Sequence, residues 1–265
     1  MTKKRMTMNK YDFPISSGCS YDDIKRAHER TLKIAVAIRD ILERNNIEYF
    51  ITFGTLIGAV RHKGFVPWDR DFDIMIMEDI YEHAVACVRR ELPDWLVLQD
   101  QNSDPRYCAF WIKIRDRFSR VQTTVYESDN DFKYCGLHID LYKMKKSENV
   151  PLSRLEDNLE FVEKKFAKGL ITEEEYLSQK NDINKKISAT QNNPCSEERY
   201  YFINLVDTTL DTFKEKMRFE FEGEQFWGPK SYDAYLKDCY YNGDYMVPPP
   251  YEKRTIDVKS IEFYN

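Results

Sequence analysis

No stretch of this chain is apolar for long enough to form a transmembrane helix. The N-terminal run MTKKRMTMNKYDF is basic but has no apolar segment behind it, so it does not read as a secretory signal. The six cysteines (Cys19, Cys87, Cys108, Cys135, Cys195, Cys239) are scattered, without a CxxC pair. That disfavours a disulfide framework or a zinc knuckle and makes a reducing, cytoplasmic setting the default expectation. The four histidines (His28, His62, His83, His138) show no metal-ligand spacing along the chain. Positive charge is also in deficit: a net charge of −5 argues against a protein built around a nucleic-acid backbone. What remains is an ordinary globular composition, 42% hydrophobic and 32% charged over 265 residues, enough for one large domain or one domain with an insertion.

Residues 1–19 read as a flexible leader. Ser20 with Asp23 forms an N-cap signal, and Ile24, Ala27, Thr31, Ile34, Ile38, Ile41 and Leu42 recur at helical spacing, predicting a helix from about 21 to 44. A strand over Glu48–Thr52 leads into Gly54-Thr55, then a short helix over Leu56–His62 that Gly64 stops. Residues 71–77 are acidic at the start and β-prone after it, and 78–91 read as helix. Trp95–Leu98, Tyr107–Arg115 and the alternating Tyr134–Met144 are strand candidates. Residues 150–200 are rich in Lys, Glu, Asn and Gln and read as a charged helical insertion, with a further helix expected from 197 to about 217. Strand and helix alternate over the first 145 residues, so the expected class is α+β with an α/β-type core.

The chemistry concentrates in Trp68-Asp69-Arg70-Asp71-Phe72-Asp73. If a strand begins early enough, alternation places Asp69, Asp71 and Asp73 on one face and Arg70 with Phe72 on the other. Carboxylates about 4 Å apart repel by roughly 4 kcal/mol at an effective dielectric near 20, which a divalent cation between them relieves. A solvated acidic turn is the alternative. Upstream, Gly54 and Thr55 stand where a strand turns into a helix, a place where backbone can approach phosphate; a plain turn is the alternative there. Downstream, Asp140 sits between Ile139 and Leu141, costly unless it is paired, metal-bound or on a solvated edge.

This order of strand, Gly-Thr, helix, Asp-x-Asp and a later lone Asp resembles the polymerase β type of nucleotidyltransferase, in which three such acids hold Mg²⁺. The run FGTLIGAVRHKGFVPWDRDFDI resembles more closely the signature of the LicD family of phosphocholine transferases, related to fukutin-related protein. WIKIRD at 111–116, GLHIDLY at 136–142 and the motif at 221–250 agree with it, so the resemblance covers about 48–145 and 218–250. It implies a nucleotidyltransferase-like mixed sheet flanked by helices, forming one catalytic domain over 20–265. Within it, 150–200 is a helical insertion and 218–250 a C-terminal family motif. It implies Asp71, Asp73 and Asp140 as ligands of Mg²⁺, with Mn²⁺ as substitute, and Asp69 or one of these ligands as proton acceptor. Gly54 and Thr55 would cradle phosphate, and Arg61, Lys63, Lys113 and Arg115 are candidates for phosphate contacts. The implied reaction moves a phospho-alcohol, commonly phosphocholine, from a CDP-linked donor to a hydroxyl of a cell-surface glycan or glycolipid. Peripheral contact with a membrane is left open. A nucleotidyltransferase acting on a small molecule or protein, and a non-catalytic relative, are the alternatives. One departure stands out: Arg70 occupies a position where bacterial members usually carry an acid.

Overall fold

The computed structural model describes residues 13–15, 19–124, 130–190, 197–240 and 243–264. Helix α1 (Tyr21–Arg44) starts at the expected capping box: Ser20 Oγ accepts from Asp23 N at 3.1 Å, and the Asp23 carboxylate accepts from Ser20 N at 2.9 Å. Its apolar stripe is buried from Ile24 to Leu42. Strand β1 (Phe50–Ile51) gives way to the one-turn helix α2 (Phe53–Ile57) and a π-helical turn, Gly58–His62. Lys63 closes that turn in the left-handed region, at φ 59°. Strand β2 (Asp73–Met77) and helix α3 (Glu78–Glu91) follow, then strands β3 (Leu96–Gln99), β4 (Ile112–Asp116), β5 (Ser119–Gln122) and β6 (His138–Ser147).

The main sheet runs β1-β2-β6-β4-β3. Within this run β2 and β6 are parallel and the other pairs antiparallel, so the sheet is mixed and the molecule α+β. Helices α1 and α3 pack against one another and against β6. The apolar residues of β2 and β6 (Ile74, Ile76, Ile139, Leu141) are fully buried.

The charged segment after β6 forms a hairpin of α4 (Val150–Ala167) and α5 (Glu173–Thr190). Only Val150 and Val162 are buried in α4, and nothing in α5 is. The helix expected from 197 to about 217 is absent. The chain there forms β7 (Arg199–Phe202), β8 (Val206–Thr209) and a 3-10 turn, Leu210–Phe213. The reason is tertiary: β6 runs on past β4, and its edge at Lys145–Ser147 pairs with Arg199–Tyr201. A free edge captures this β-prone, aromatic segment against its local pattern. The strand expected over Tyr107–Arg115 begins only at Ile112, because the Tyr107 hydroxyl donates to the Trp111 carbonyl and the chain before it turns.

A hairpin of β9 (Lys216–Phe221) and β10 (Glu224–Pro229) packs against β1, and helix α6 (Tyr232–Cys239) packs against α2. The last strand, β11 (Ser260–Phe263), pairs with β5. Of the leader, Phe13 is buried and edge-on to Tyr21 and Trp68, while residues 1–12 and 16–18 lie outside the described residues. No disulfide joins the described cysteines.

Candidate active site

The parallel register of β2 on β6 sets Asp73 opposite Asp140, and the antiparallel register of β4 on β6 sets Lys113 opposite Asp140 from the other side. Tyr142, two residues on and so on the same face, joins the two acids. Its hydroxyl lies 3.1 Å from both Asp73 Oδ1 and Asp140 Oδ2. With one proton it donates to one carboxylate at a time, leaving the other facing an oxygen. Thr55 Oγ1 accepts from Asp73 N at 2.8 Å, so this buried threonine fixes where β2 begins. Asp71 N donates to Asp69 Oδ1 at 3.2 Å. A Cβ on Gly54 would lie 2.3 Å from Asp69 Oδ2 and 4.0 Å from Asp73 Oδ2; glycine there makes room for two carboxylates against the backbone.

The cations are equally confined. Lys113 Nζ donates to Asp140 Oδ1 at 2.7 Å and to His138 Nε2 at 2.8 Å. Arg115 is buried and holds Gln99, the Gly136 carbonyl at 2.8 Å and the edge of His138. His138 is held well below the ordinary histidine range by burial, then by the charges of Lys113, Arg115 and Arg70. Its Nε2, the atom Lys113 reaches, lies 3.4 Å from Asp71 Oδ1 and 3.7 Å from Asp140 Oδ1. Burial, then Asp140, Asp69 and Asp71, raise Asp73 well above the usual carboxylate range. Burial, then Asp71, push Asp69 up to about 7. Four carboxylates are thus crowded at the end of the central strands.

Arg70 does not face away. Residues 69–72 precede the strand, so alternation does not govern them, and only Phe72 points into the core, against Phe65, Phe221 and Phe226. The Arg70 guanidinium lies 3.4 Å from Asp71 Oδ1 and 4.0 Å from Asp257 Oδ2 on the C-terminal segment, its side chain only 10% exposed. Burial alone would make it less basic, but Asp71, Asp257, Asp140 and Asp69 outweigh that and raise it. Arg61 is partly buried and donates to the Tyr245 carbonyl. Lys63 is exposed, and its carbonyl accepts from Glu222 N at 2.8 Å. Asp116, next to Arg115 in the chain, receives Arg30 through two bonds of 2.7 and 2.9 Å.

The tightest group of ligand atoms is Asp71, His138 and Asp140, all within 4.8 Å of one another. Spacing among the histidines along the chain does not mark His138. The usable signal was period two: His138 stands two residues before Asp140 on an alternating strand. The donor set fits a divalent cation. Asp71 Oδ1 is buried without a hydrogen bond, and the neighbouring acids are held against their mutual charge.

A family profile described as LicD/FKTN/FKRP, nucleotidyltransferase domain, matches residues 46–154. The chain is 28% identical over 238 residues to the lipopolysaccharide cholinephosphotransferase LicD of Haemophilus influenzae, covering 80% of this chain and 87% of that one. An uncharacterised protein of Rickettsia prowazekii is 55% identical over 40 residues, 15% of each chain. Among solved structures, terminal uridylyl transferase 4 of Trypanosoma brucei with bound GTP superposes with a TM-score of 0.24 at 9% identity, over 54% of this chain and 46% of that one, too low to carry an argument. Residues 46–154 thus match the LicD-type nucleotidyltransferase domain, and the likeness to the Haemophilus protein extends over most of the chain.

Proposed function

We propose that the protein transfers a phospho-alcohol, phosphocholine first among the candidates, from a CDP-linked donor to a hydroxyl of a cell-surface glycan or glycolipid. The observation that carries this reading is the convergence of Asp69, Asp71, Asp73 and Asp140 around a buried, unbonded Asp71 oxygen, in a chain that aligns over 80% of its length with a cholinephosphotransferase. Asp71 and Asp140, with Asp73 and His138 beside them, would hold Mg²⁺ or Mn²⁺. A cation bound there withdraws charge from the donor phosphates and the departing CMP. The acceptor oxygen attacks the phosphorus that bears the alcohol, the bond from that phosphorus to the CMP oxygen breaks, and CMP leaves with the electron pair. Asp69, held beside Gly54, takes the acceptor proton. Lys113 and Arg61 meet phosphate oxygens, while Thr55 and Arg115 act as positioning residues, on Asp73 and His138 respectively. No described helix is long and apolar enough to cross a membrane; the reading places the enzyme in the cytoplasm, meeting a glycolipid acceptor peripherally.

The test is to offer CDP-choline, CDP-glycerol and CDP-ribitol with Mg²⁺ or Mn²⁺ and to follow CMP. Release of CMP from one of them, lost in Asp140→Asn, supports the reading. Nucleotide incorporated into an acceptor makes the protein a nucleotidyltransferase instead. No turnover of any donor, with metal binding unchanged in Asp71→Asn, makes it a non-catalytic relative.

A further inference from the structure

Arg70 interrupts the acidic run, and its guanidinium is turned into the carboxylate cluster rather than toward solvent. Nη1 lies 3.4 Å from Asp71 Oδ1 and Nη2 lies 4.0 Å from Asp257 Oδ2, with 10% of the side chain exposed. Burial works against its charge, while Asp71, Asp257, Asp140 and Asp69 favour it, so three acids of the cluster feel this one cation. Enclosed between Asp71 and Asp257, it has little surface left to offer a substrate phosphate. Its contact with Asp71 is also of a particular kind. The 3.4 Å separation is longer than an ordinary N–H···O bond, and Asp71 Oδ1 is buried without accepting any hydrogen bond. The charge is therefore close, yet the oxygen keeps its lone pairs for a ligand. Lys113 differs, since Nζ donates directly to Asp140 Oδ1 at 2.7 Å.

The charges around the cluster can be set against one another. Asp69, Asp71, Asp73, Asp140 and Asp257 bring five carboxylates, and Arg70, Lys113 and Arg115 bring three cations. His138, held well below the ordinary histidine range, adds no charge near neutral pH. The next acid outward, Asp116, is matched by Arg30. With every carboxylate ionised, two negative charges are left over, the charge of one divalent ion. An ion on Asp71 Oδ1 sits about 2.1 Å from that oxygen, hence no more than about 5.5 Å from Arg70 Nη1. Two-ion sites for phosphoryl transfer hold their ions about 3.5–4 Å apart. A second ion here would meet the first ion and the guanidinium together, with no negative charge left to hold it.

We propose that Arg70 stands in for a second metal ion: it is a built-in cation that limits the carboxylate cluster to one divalent ion and weakens the binding of that ion. This rests on the metal site of the proposed function and not on the identity of donor or acceptor. The test is titration of the full chain with Mn²⁺, free ion being read by electron paramagnetic resonance, on the parent, Arg70→Lys, Arg70→Gln and Arg70→Asp. Ions are assigned to the cluster by their loss in Asp71→Asn. The expected result is one such ion per parent chain, and one in Arg70→Lys with an affinity within about threefold of the parent. Arg70→Gln removes the fixed charge beside the ligand oxygen and should bind the ion about tenfold more tightly or better. Arg70→Asp exchanges the cation for a further carboxylate and should admit a second ion.

Two ions in the parent cluster, an affinity unchanged or weaker in Arg70→Gln, a tightening as large in Arg70→Lys, or a single ion still in Arg70→Asp overturns the proposal. A variant that has lost its fold does not bind more tightly. If a charge-removing variant fails to melt cooperatively, the parent and Arg70→Lys decide, one ion in each supporting the proposal and two overturning it. Absence of Mn²⁺ binding in both the parent and Arg70→Gln overturns it together with the metal site. The reaction and the role of Arg70 fail separately. One ion, held more tightly in Arg70→Gln, without CMP release from any CDP-alcohol sinks the reaction and keeps the role. CMP release by a parent cluster that holds two ions sinks the role and keeps the reaction.

Discussion

The acidic cleft and the α4–α5 hairpin are both dense in charge, and in the sequence they look alike: short runs of Asp, Glu, Lys and Arg. In the hairpin the charges are exposed and locally answered, as in Lys164 with Glu160, Lys186 with Asp182 and, between the helices, Lys180 with Glu163. In the cleft they are buried, and the acids outweigh what Lys113 and Arg70 return. Charge at the surface is held by water and changes little when altered. Charge at the ends of β2 and β6 is held by the fold against its own repulsion, a condition useful only for binding something positive. Altering charge in each region should therefore give opposite results.

The largest contrast is expected from Asp73→Asn and Asp140→Asn. Each should cut turnover about a thousandfold or more, because a ligand or its partner is lost. Asp73→Asn should nevertheless raise the melting temperature of the metal-free protein at pH 8. The sign follows from the raised Asp73 pKa. The folded state prefers the protonated acid, so the cost of its charge is absent below the unfolded value near 3.8 and grows as pH rises toward the folded one. The gain should shrink between pH 8 and pH 5 in thermal melts with chelator. A melting temperature that falls at pH 8 would mean that the carboxylates are not in mutual strain.

Gly54→Ala comes next. The new methyl meets Asp69 Oδ2 at 2.3 Å, and a carboxylate pinned by Asp71 N cannot withdraw without moving the acidic run. Turnover should fall about a hundredfold with a stability loss of about 1–3 kcal/mol, read by CMP release and urea unfolding. The comparison sharpens if Gly169→Ala, at the tip of the hairpin with open space around its Cβ, leaves turnover unchanged and costs only what its positive φ of 66° imposes.

A smaller effect should separate the metals. An imidazole nitrogen among carboxylates suits Mn²⁺ better than Mg²⁺, which favours oxygen. His138→Gln should weaken Mn²⁺ about tenfold and Mg²⁺ no more than about threefold, by calorimetry. Equal losses for both metals would make Asp73, rather than His138, the third ligand.

These contrasts also mark what the sequence made readable. Helix α1 was legible because its start signal and its stripe are both local, and Asp140 was legible because a lone acid in an apolar alternating strand has few cheap explanations. His138 carries the same period-two signal, which the spacing among the four histidines does not show. Arg70 was misread because alternation was extended back through residues 69–72, where no strand exists. The segment 199–209 was misread as helix because its partner, the overhanging edge of β6, lies more than fifty residues away and leaves no mark on its own pattern.

The smallest expected change belongs to the hairpin. Lys180 reaches across to Glu163 at 2.8 Å and to Tyr176, whose ring stacks on Phe166 with centroids 4.3 Å apart. Lys180→Gln removes the charge and keeps much of the reach, so the melting temperature should move by no more than about 1 °C. Even that shift should vanish in about 1 M salt, where the screening length is about 3 Å. Turnover should be unchanged, since α5 buries nothing against the sheet. A loss of acceptor-dependent turnover with donor hydrolysis intact would instead turn the hairpin from solvated charge into a surface that meets the acceptor. The difference between the two regions would then be one of partner, a metal in the cleft and a glycan on the hairpin, rather than of burial alone.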